Sequence, residues 1–192
     1  MRRLVMWNLV TLDGFFEGAK SWDLGFHEYV WGEELERFAI EQLGEAEALL
    51  FGRVTYEGMA AYWSGATGEV AELMNAIPKY GFSRRSGPAP WSNSRLLVGD
   101  AADAVAALKR EEGKDLFVFG SALLSHSLME RGLFDEYRLC LVPVVLGAGT
   151  PLFKSSAASS RLELMKARPL GSGAVLLYYR PLAEPEAATT RT

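Results

Sequence analysis

The chain has 192 residues, 49% of them hydrophobic, a formal net charge of -4 and one cysteine, Cys140. This length suits one compact domain rather than two, and the charge gives no reason to expect a nucleic-acid or membrane surface. One cysteine excludes an intramolecular disulfide. With only two histidines as well, the sequence favours a reducing, cytoplasmic, metal-free protein.

Apolar runs alternate with helical patterns through the first two thirds of the chain. Apolar spacing predicts strands at 4–10, 47–51, 79–82, 95–98 and 115–120, and helices at 33–43, 53–63, 68–76, 101–113 and 121–132. Asp100 is placed to cap the fourth helix. Residues 11–32 form a long aromatic loop between the first strand and the first helix.

The pattern changes after residue 135. Residues 136–146 are a long apolar stretch, and 162–170 and 174–180 are strands joined by a Gly-Ser-Gly hairpin signal. Crossovers followed by hairpins predict an α/β fold whose mixed sheet is mostly parallel, with antiparallel strands at its C-terminal edge. We expect one domain over 1–181 and a disordered tail over 182–192. The 136–146 stretch is either a core strand or a dimer interface.

Three strand ends carry residues suited to an anion. Ligands of open α/β sheets bind beyond the carboxyl ends of the strands. The first corner holds Gly52, Arg53, Val54 and Thr55, the second holds Ser83 and Arg84, and the third holds Gly120, Ser121, Ala122, Leu123 and Leu124. Glycine allows close backbone approach, and helix starts offer free N–H groups. Each corner alone is explained by an ordinary turn without a ligand; together they favour a dinucleotide site.

The aromatic loop suggests a wall for a flat substrate. Trp22 lies within it, and Trp63 follows the helix that starts at Arg53. His27 has an ordinary pKa near neutrality and is a candidate proton donor; a surface histidine is the alternative. Asp13, followed by Gly14, is the other catalytic candidate, although a turn-forming Asp-Gly explains it as well.

In order, TLDGFF, LLFGRVTYEGM, KYGFSR, DLFVFGSALL and DEYRLCLVPVVLGAGTPLF resemble the dihydrofolate reductase-like family. Within it, the sequence is similar to the C-terminal reductase domain of bifunctional riboflavin deaminase-reductases, over about residues 2 to 180. The resemblance implies a three-layer, often dimeric NADPH-binding fold. It also implies hydride transfer to a heterocyclic or ribosylamine substrate, as in 5-amino-6-(5-phosphoribosylamino)uracil reductases.

The same resemblance implies roles for the corner residues. Gly52, Arg53 and Thr55 match the family's Gly-Arg-x-Thr at the cofactor phosphates, and Ser83 and Arg84 match the site of the adenosine ribose phosphate. Residues 120–124 match the glycine turn and helix under the pyrophosphate, with Gly120-Ser121 in place of the frequent Gly-Gly. Asp13 and Gly14 match the Leu-Asp-Gly at the mouth of the nicotinamide and substrate pocket.

The sequence therefore leaves three hypotheses. The first is an NADPH-dependent reductase of a ribosylamine in riboflavin biosynthesis, which would act as a cytoplasmic homodimer on a small molecule. The second is a dihydrofolate or pterin reductase. The third, of another class, is a dimeric nucleotide-binding module without turnover.

Overall fold

The computed structural model describes residues 1–153 and 159–182 of the chain. In chain order the elements are β1 (Leu4–Thr11), β2 (Phe15–Glu17), a 3-10 turn (Gly25–Tyr29), α1 (Glu33–Glu45), β3 (Ala46–Gly52), α2 (Arg53–Trp63), α3 (Glu69–Ala76), β4 (Lys79–Ser83), β5 (Ser94–Val98), α4 (Ala101–Lys109), β6 (Asp115–Phe119), α5 (Ala122–Glu130), β7 (Glu136–Val142), β8 (Thr150–Pro151), β9 (Leu162–Pro169) and β10 (Val175–Pro181). All but residue 182 of the predicted tail lies outside the described residues.

Eight strands form one sheet in the order β5-β4-β3-β6-β1-β7-β10-β9. The six strands from β5 to β7 pair in parallel. The strand β10 pairs antiparallel with both β7 and β9. The predicted mixed sheet is confirmed, with the hairpin strands at one edge.

Helices cover both faces of this sheet. Because successive strand residues point to opposite faces, Met6 belongs to the buried cluster that contains α4 and α5 residues, and Val5 belongs to the cluster that contains residues of α1 to α3. Val105 and Leu128 fill the first cluster with no exposed surface. The result is the three-layer arrangement that the sequence predicted.

Two predicted segments differ in the structure. The 11–32 stretch is not only loop: β2 pairs antiparallel with β8, and a 3-10 turn buries Phe26. Within the 136–146 stretch, Glu136–Val142 form β7, which lies inside the sheet between β1 and β10, so this part is a core strand. Val145 and Leu146, beyond its end, are exposed, and a dimer interface there stays a prediction.

The remaining boundaries move by a few residues. The fourth helix ends at Lys109 rather than at Gly113, because the chain turns at residues 110–113 before β6. The predicted cap is present, since Asp100 accepts a hydrogen bond from the Asp103 N–H at 2.9 Å. No helix within residues 1–153 and 159–182 is long and apolar enough to cross a membrane.

Candidate functional site

A cavity of about 660 Å³ lies across the carboxyl ends of the parallel strands. It reaches from the ends of β4 and β5 past β3 and β6 to β1, the β2–β8 pair and the 3-10 turn. Its two ends differ in chemistry. We call the part around Arg53, Ser83 and Arg84 the basic end, and the part around Trp7, Phe16, Trp22 and His27 the aromatic end.

The structure brings all of the predicted cofactor-binding residues to this cavity. They are Gly52, Arg53, Val54, Thr55, Ser83, Arg84, Gly120, Ser121, Ala122, Leu123 and Leu124. Trp22 and His27 also line it, at the aromatic end. Asp13, Gly14 and Trp63 do not line it.

Hydrogen bonds that join β1, the end of β3 and the turn after β6 fix the middle of the cavity. The Gly120 N–H donates to Asn8 Oδ1 at 2.7 Å, and the Gly52 N–H donates to Ser121 Oγ at 2.8 Å. Gly120 and Ser121 both have left-handed backbones, with φ of 64° and 61°. A left-handed backbone is energetically unfavourable for serine, which indicates that the surrounding contacts hold Ser121 in this conformation.

The two helices that start at this corner have no side-chain caps. Neither α2, after Gly52, nor α5, after Ser121, has its first N–H groups bonded to a capping side chain. By contrast, the N-terminus of α4 beside the same cavity is capped by Asp100. Free N–H groups and the positive end of the helix dipole favour an anion at α2 and α5. The Asp100 carboxylate disfavours a bound anion at the N-terminus of α4.

Arg53 is held at the basic end by two contacts. Its guanidinium pairs with Glu57 one turn along α2. A Cβ placed on Gly87 would come within 2.7 Å of Arg53 Nη1, so the guanidinium lies directly against the loop after β4. Arg84 is exposed at the mouth of the cavity. Both cations therefore lie on the β4 side of the site.

His27 lies in the cavity, but its electrostatics do not suit a proton donor. Its ring packs edge-on against Phe26 at 4.7 Å, and its Nε2 is buried without a hydrogen-bond partner among the described residues. Burial lowers the pKa of His27 to about 4. The imidazole is therefore uncharged at neutral pH and has no imidazolium proton to donate.

Asp13 serves a turn instead of the cavity. Its Oδ1 accepts from the Thr11 hydroxyl at 2.6 Å, and its Oδ2 accepts from the Gly147 N–H at 2.8 Å. The Thr11 bond is the main reason why the pKa of this exposed carboxyl lies below its ordinary value, and the Gly147 and Leu146 N–H groups add to it. Asp13 thus connects the turn after β1 to the segment before β8. This is what a turn-forming Asp-Gly, the alternative to a catalytic role, predicts.

Trp22 is packed into a notch on α2. A Cβ on Gly58 would lie 1.8 Å from Trp22 Cζ2, so only glycine admits the indole at this position. The Trp22 backbone N–H donates to the Glu17 carboxylate, whose other oxygen accepts from the Thr150 hydroxyl at 3.2 Å. These contacts fix the 18–24 loop over the aromatic end. Trp63 contacts the site indirectly, since its Nε1 donates to Sδ of the lining residue Met59 at 3.3 Å.

Several lining residues were not predicted. Trp7, Asn8 and Glu17 all line the cavity. Trp7 Nε1 and Asn8 Nδ2 are themselves buried and have no hydrogen-bond partner within the described ranges. Asn8 could have been noticed, because a polar side chain inside a buried strand needs an explanation. No group of three or more His, Cys, Asp or Glu residues that could hold a metal occurs in the described part of the chain.

The fold and the position of the cavity define the class: this is an α/β protein of the dihydrofolate reductase-like fold. The sequence model of the RibD C-terminal domain matches residues 2–176. The chain therefore belongs to the RibD C-terminal domain family, and the resemblance found in the sequence is confirmed.

Individual relatives agree with this family. The chain is 30% identical to the uncharacterised protein YyaP of Bacillus subtilis over 192 residues, covering 93% of this chain and 94% of the relative. A pyrimidine reductase-like protein from Corynebacterium diphtheriae has a TM-score of 0.71 at 11% identity, covering 95% and 93% of the two chains. Dihydrofolate reductase from Enterococcus faecalis, solved with NADP(H), has a TM-score of 0.61 at 10% identity, covering 93% and 96%. At these identities the two solved structures establish the fold.

Proposed function

We propose that the protein is an NADPH-dependent reductase that transfers a hydride to a small heterocyclic or ribosylamine substrate. The observation that carries this proposal is the pair of uncapped helix N-termini, α2 and α5, at one cavity. Membership of a reductase domain family supports it, as does the NADP(H) complex of the Enterococcus enzyme that shares the fold.

The residues of the cavity fit a dinucleotide. The N–H groups of residues 53–55 and 122–124 would hold the pyrophosphate, because the positive ends of two helix dipoles lie at the cavity there. The apolar side chains of Val54 and Leu123 are 64% and 86% exposed, so they are available to pack against a bound nucleotide. Ser83 and Arg84 would hold the 2′-phosphate that distinguishes NADPH from NADH. When bound, NADPH supplies the hydride.

The aromatic end is the proposed substrate site. Its side chains include Trp7, Phe16 and Trp22, which suit the face of a flat ring. His27, as a neutral imidazole, offers a hydrogen bond to such a ring. It does not offer a proton from an imidazolium.

Two measurements test the proposal. Calorimetry should find saturable NADPH binding that is clearly tighter than NADH binding. NADPH oxidation should then be screened with dihydrofolate beside the ribosylamine 5-amino-6-(5-phosphoribosylamino)uracil. Absence of NADPH binding would overturn the proposal as a whole.

One observation favours a second candidate, a nucleotide-binding module without turnover. Asp13 lies outside the cavity and His27 is neutral, so neither predicted catalytic group is in place as an acid. This candidate predicts NADPH binding without oxidation across the whole substrate panel. Oxidation of NADPH with any member of the panel would exclude it.

A further inference from the structure

The basic end of the cavity carries charges of both signs. Its cations are Arg53 and Arg84, and Asp100 lines the same part of the cavity from the start of α4. The guanidinium of Arg53 is already paired with the Glu57 carboxylate. The exposed Arg84 is therefore the cation of this end whose charge Glu57 does not offset.

Arg84 and Asp100 follow neighbouring strand ends. In the parallel pair of β4 and β5, Ser83 lies opposite Val98, and the Gly99 N–H donates to the Ser83 carbonyl at 3.4 Å. Arg84 comes directly after Ser83 in the chain, and Asp100 comes directly after Gly99. Neighbouring strands lie about 4.8 Å apart, and charges within about 10 Å of each other still interact at 0.1 M salt. A phosphate bound by Arg84 is therefore subject to the charge of Asp100.

The Asp100 carboxylate is held in place by the helix that it caps. Its Oδ1 accepts from the Asp103 N–H at 2.9 Å, so turning the side chain away would leave that donor unbonded. The carboxylate also offsets the positive end of the α4 dipole. A phosphate on this side of the cavity meets a fixed negative charge, whereas α2 and α5 offer free N–H groups.

We propose that Asp100 is a specificity-determining residue that limits the preference of this cavity for NADPH over NADH. The 2′-phosphate of NADPH carries a charge of roughly -1.5 to -2 near neutral pH, which Arg84 attracts and Asp100 repels. NADH has an uncharged hydroxyl in its place, which can donate to a carboxylate. The protein therefore binds both cofactors, with a modest preference for NADPH. This inference rests on the proposed function and narrows its cofactor selectivity.

Calorimetric titration of wild type and Asp100→Asn with NADPH and NADH tests this role. Asparagine caps a helix as well as aspartate does, so the substitution removes only the charge. We expect the ratio of the NADH to the NADPH dissociation constant to rise by about three- to tenfold at low salt, because NADPH binds more tightly. The rise should shrink in about 1 M salt, where the screening length is about 3 Å. An unchanged or lower ratio at low salt would overturn the inference.

Asp103→Asn is the matched control. It removes the same charge from the first turn of the same helix, but Asp103 does not line the cavity, and its carboxylate pairs with Arg131 at 2.8 Å. We expect its ratio to stay within about twofold of wild type, because this charge is already paired. An equal rise in both variants would assign the effect to the net charge of the protein and would also overturn the inference.

A pair of smaller ligands locates the effect. Adenosine 2′,5′-bisphosphate and AMP are the adenosine halves of the two cofactors and differ only in the 2′-phosphate. Asp100→Asn should shift their relative affinities as it shifts those of NADPH and NADH. No shift with this pair would place the effect away from the 2′-phosphate and contradict the proposed role of Asp100.

The outcomes separate this inference from the proposed function. If wild type binds neither NADPH nor NADH, the proposed function fails, and the inference fails with it. If wild type binds both and Asp100→Asn leaves the ratio unchanged, only the inference fails. Urea unfolding checks that the variants fold. Asp100→Ser, another uncharged helix cap, takes the place of an Asp100→Asn protein that does not fold.

Discussion

The partly buried His27 gives the most quantitative prediction. Burial lowers the pKa of His27 from 6.5 to about 4 in the folded protein, while the unfolded chain keeps the ordinary value. Between these two values the unfolded chain binds a proton that the folded chain does not. The free energy of unfolding is therefore at its full value above pH 6.5 and decreases as the pH falls towards 4.

The size of this effect follows from the shift. About 2.5 pH units at about 1.4 kcal/mol per unit gives roughly 3 kcal/mol of stability lost on acidification. Asp13 adds a loss in the same direction at more acid pH, because its pKa lies below the ordinary value of 3.8. The contribution of His27 must therefore be taken as a difference between proteins.

Urea unfolding of wild type and His27→Gln from neutral to acid pH isolates that difference. Glutamine cannot be protonated, so we expect the variant to lose about 3 kcal/mol less than wild type over this range. His126→Gln is the matched control, since the His126 ring already bonds to the Leu152 carbonyl at 3.0 Å. Equal acid losses in wild type and His27→Gln would refute the view that His27 is buried and neutral.

Two further predictions concern the walls of the cavity. Gly58→Ala should expel the Trp22 side chain from its notch and raise the substrate KM several-fold, with NADPH affinity unchanged. Gly65→Ala is the control and should change neither quantity, because its new methyl group meets nothing within 4 Å. Equal kinetics in the two variants would contradict the proposed wall. Ser121→Ala and Ser121→Gly both lose the hydroxyl that accepts a hydrogen bond from the Gly52 N–H. Only glycine adopts the left-handed backbone of this position without strain, so urea unfolding should find the glycine variant more stable by about 1 kcal/mol. A more stable alanine variant would contradict that strain.

Much of the fold could be predicted from the sequence because it depends on local patterns. The parallel strands are short apolar runs next to periodic helices, and the corners at Gly52 and Gly120 stand where those runs end. Strand direction then places the corners at one edge of the sheet. This is why the sequence could predict that residues of all three corners line one cavity.

The rest depends on contacts between distant residues. The strands β2 and β8 have three and two residues and become strands only by pairing across more than 130 positions. Asp13 was a catalytic candidate until the Gly147 N–H, also distant in sequence, was found to hold it. The burial of His27 likewise depends on packing, and no residue near it in the sequence indicates a lowered pKa.

The central claim is that the cavity holds NADPH, with its 2′-phosphate at Arg84. Calorimetry with NADPH and NADH on wild type, Arg84→Ala and the neighbouring control Arg85→Ala tests it most directly. We expect wild type to prefer NADPH, and Arg84→Ala to weaken NADPH roughly tenfold, or about 1.5 kcal/mol, with NADH unchanged. No binding of NADPH at about 1 mM, which is the limit of a weak complex, would contradict the account.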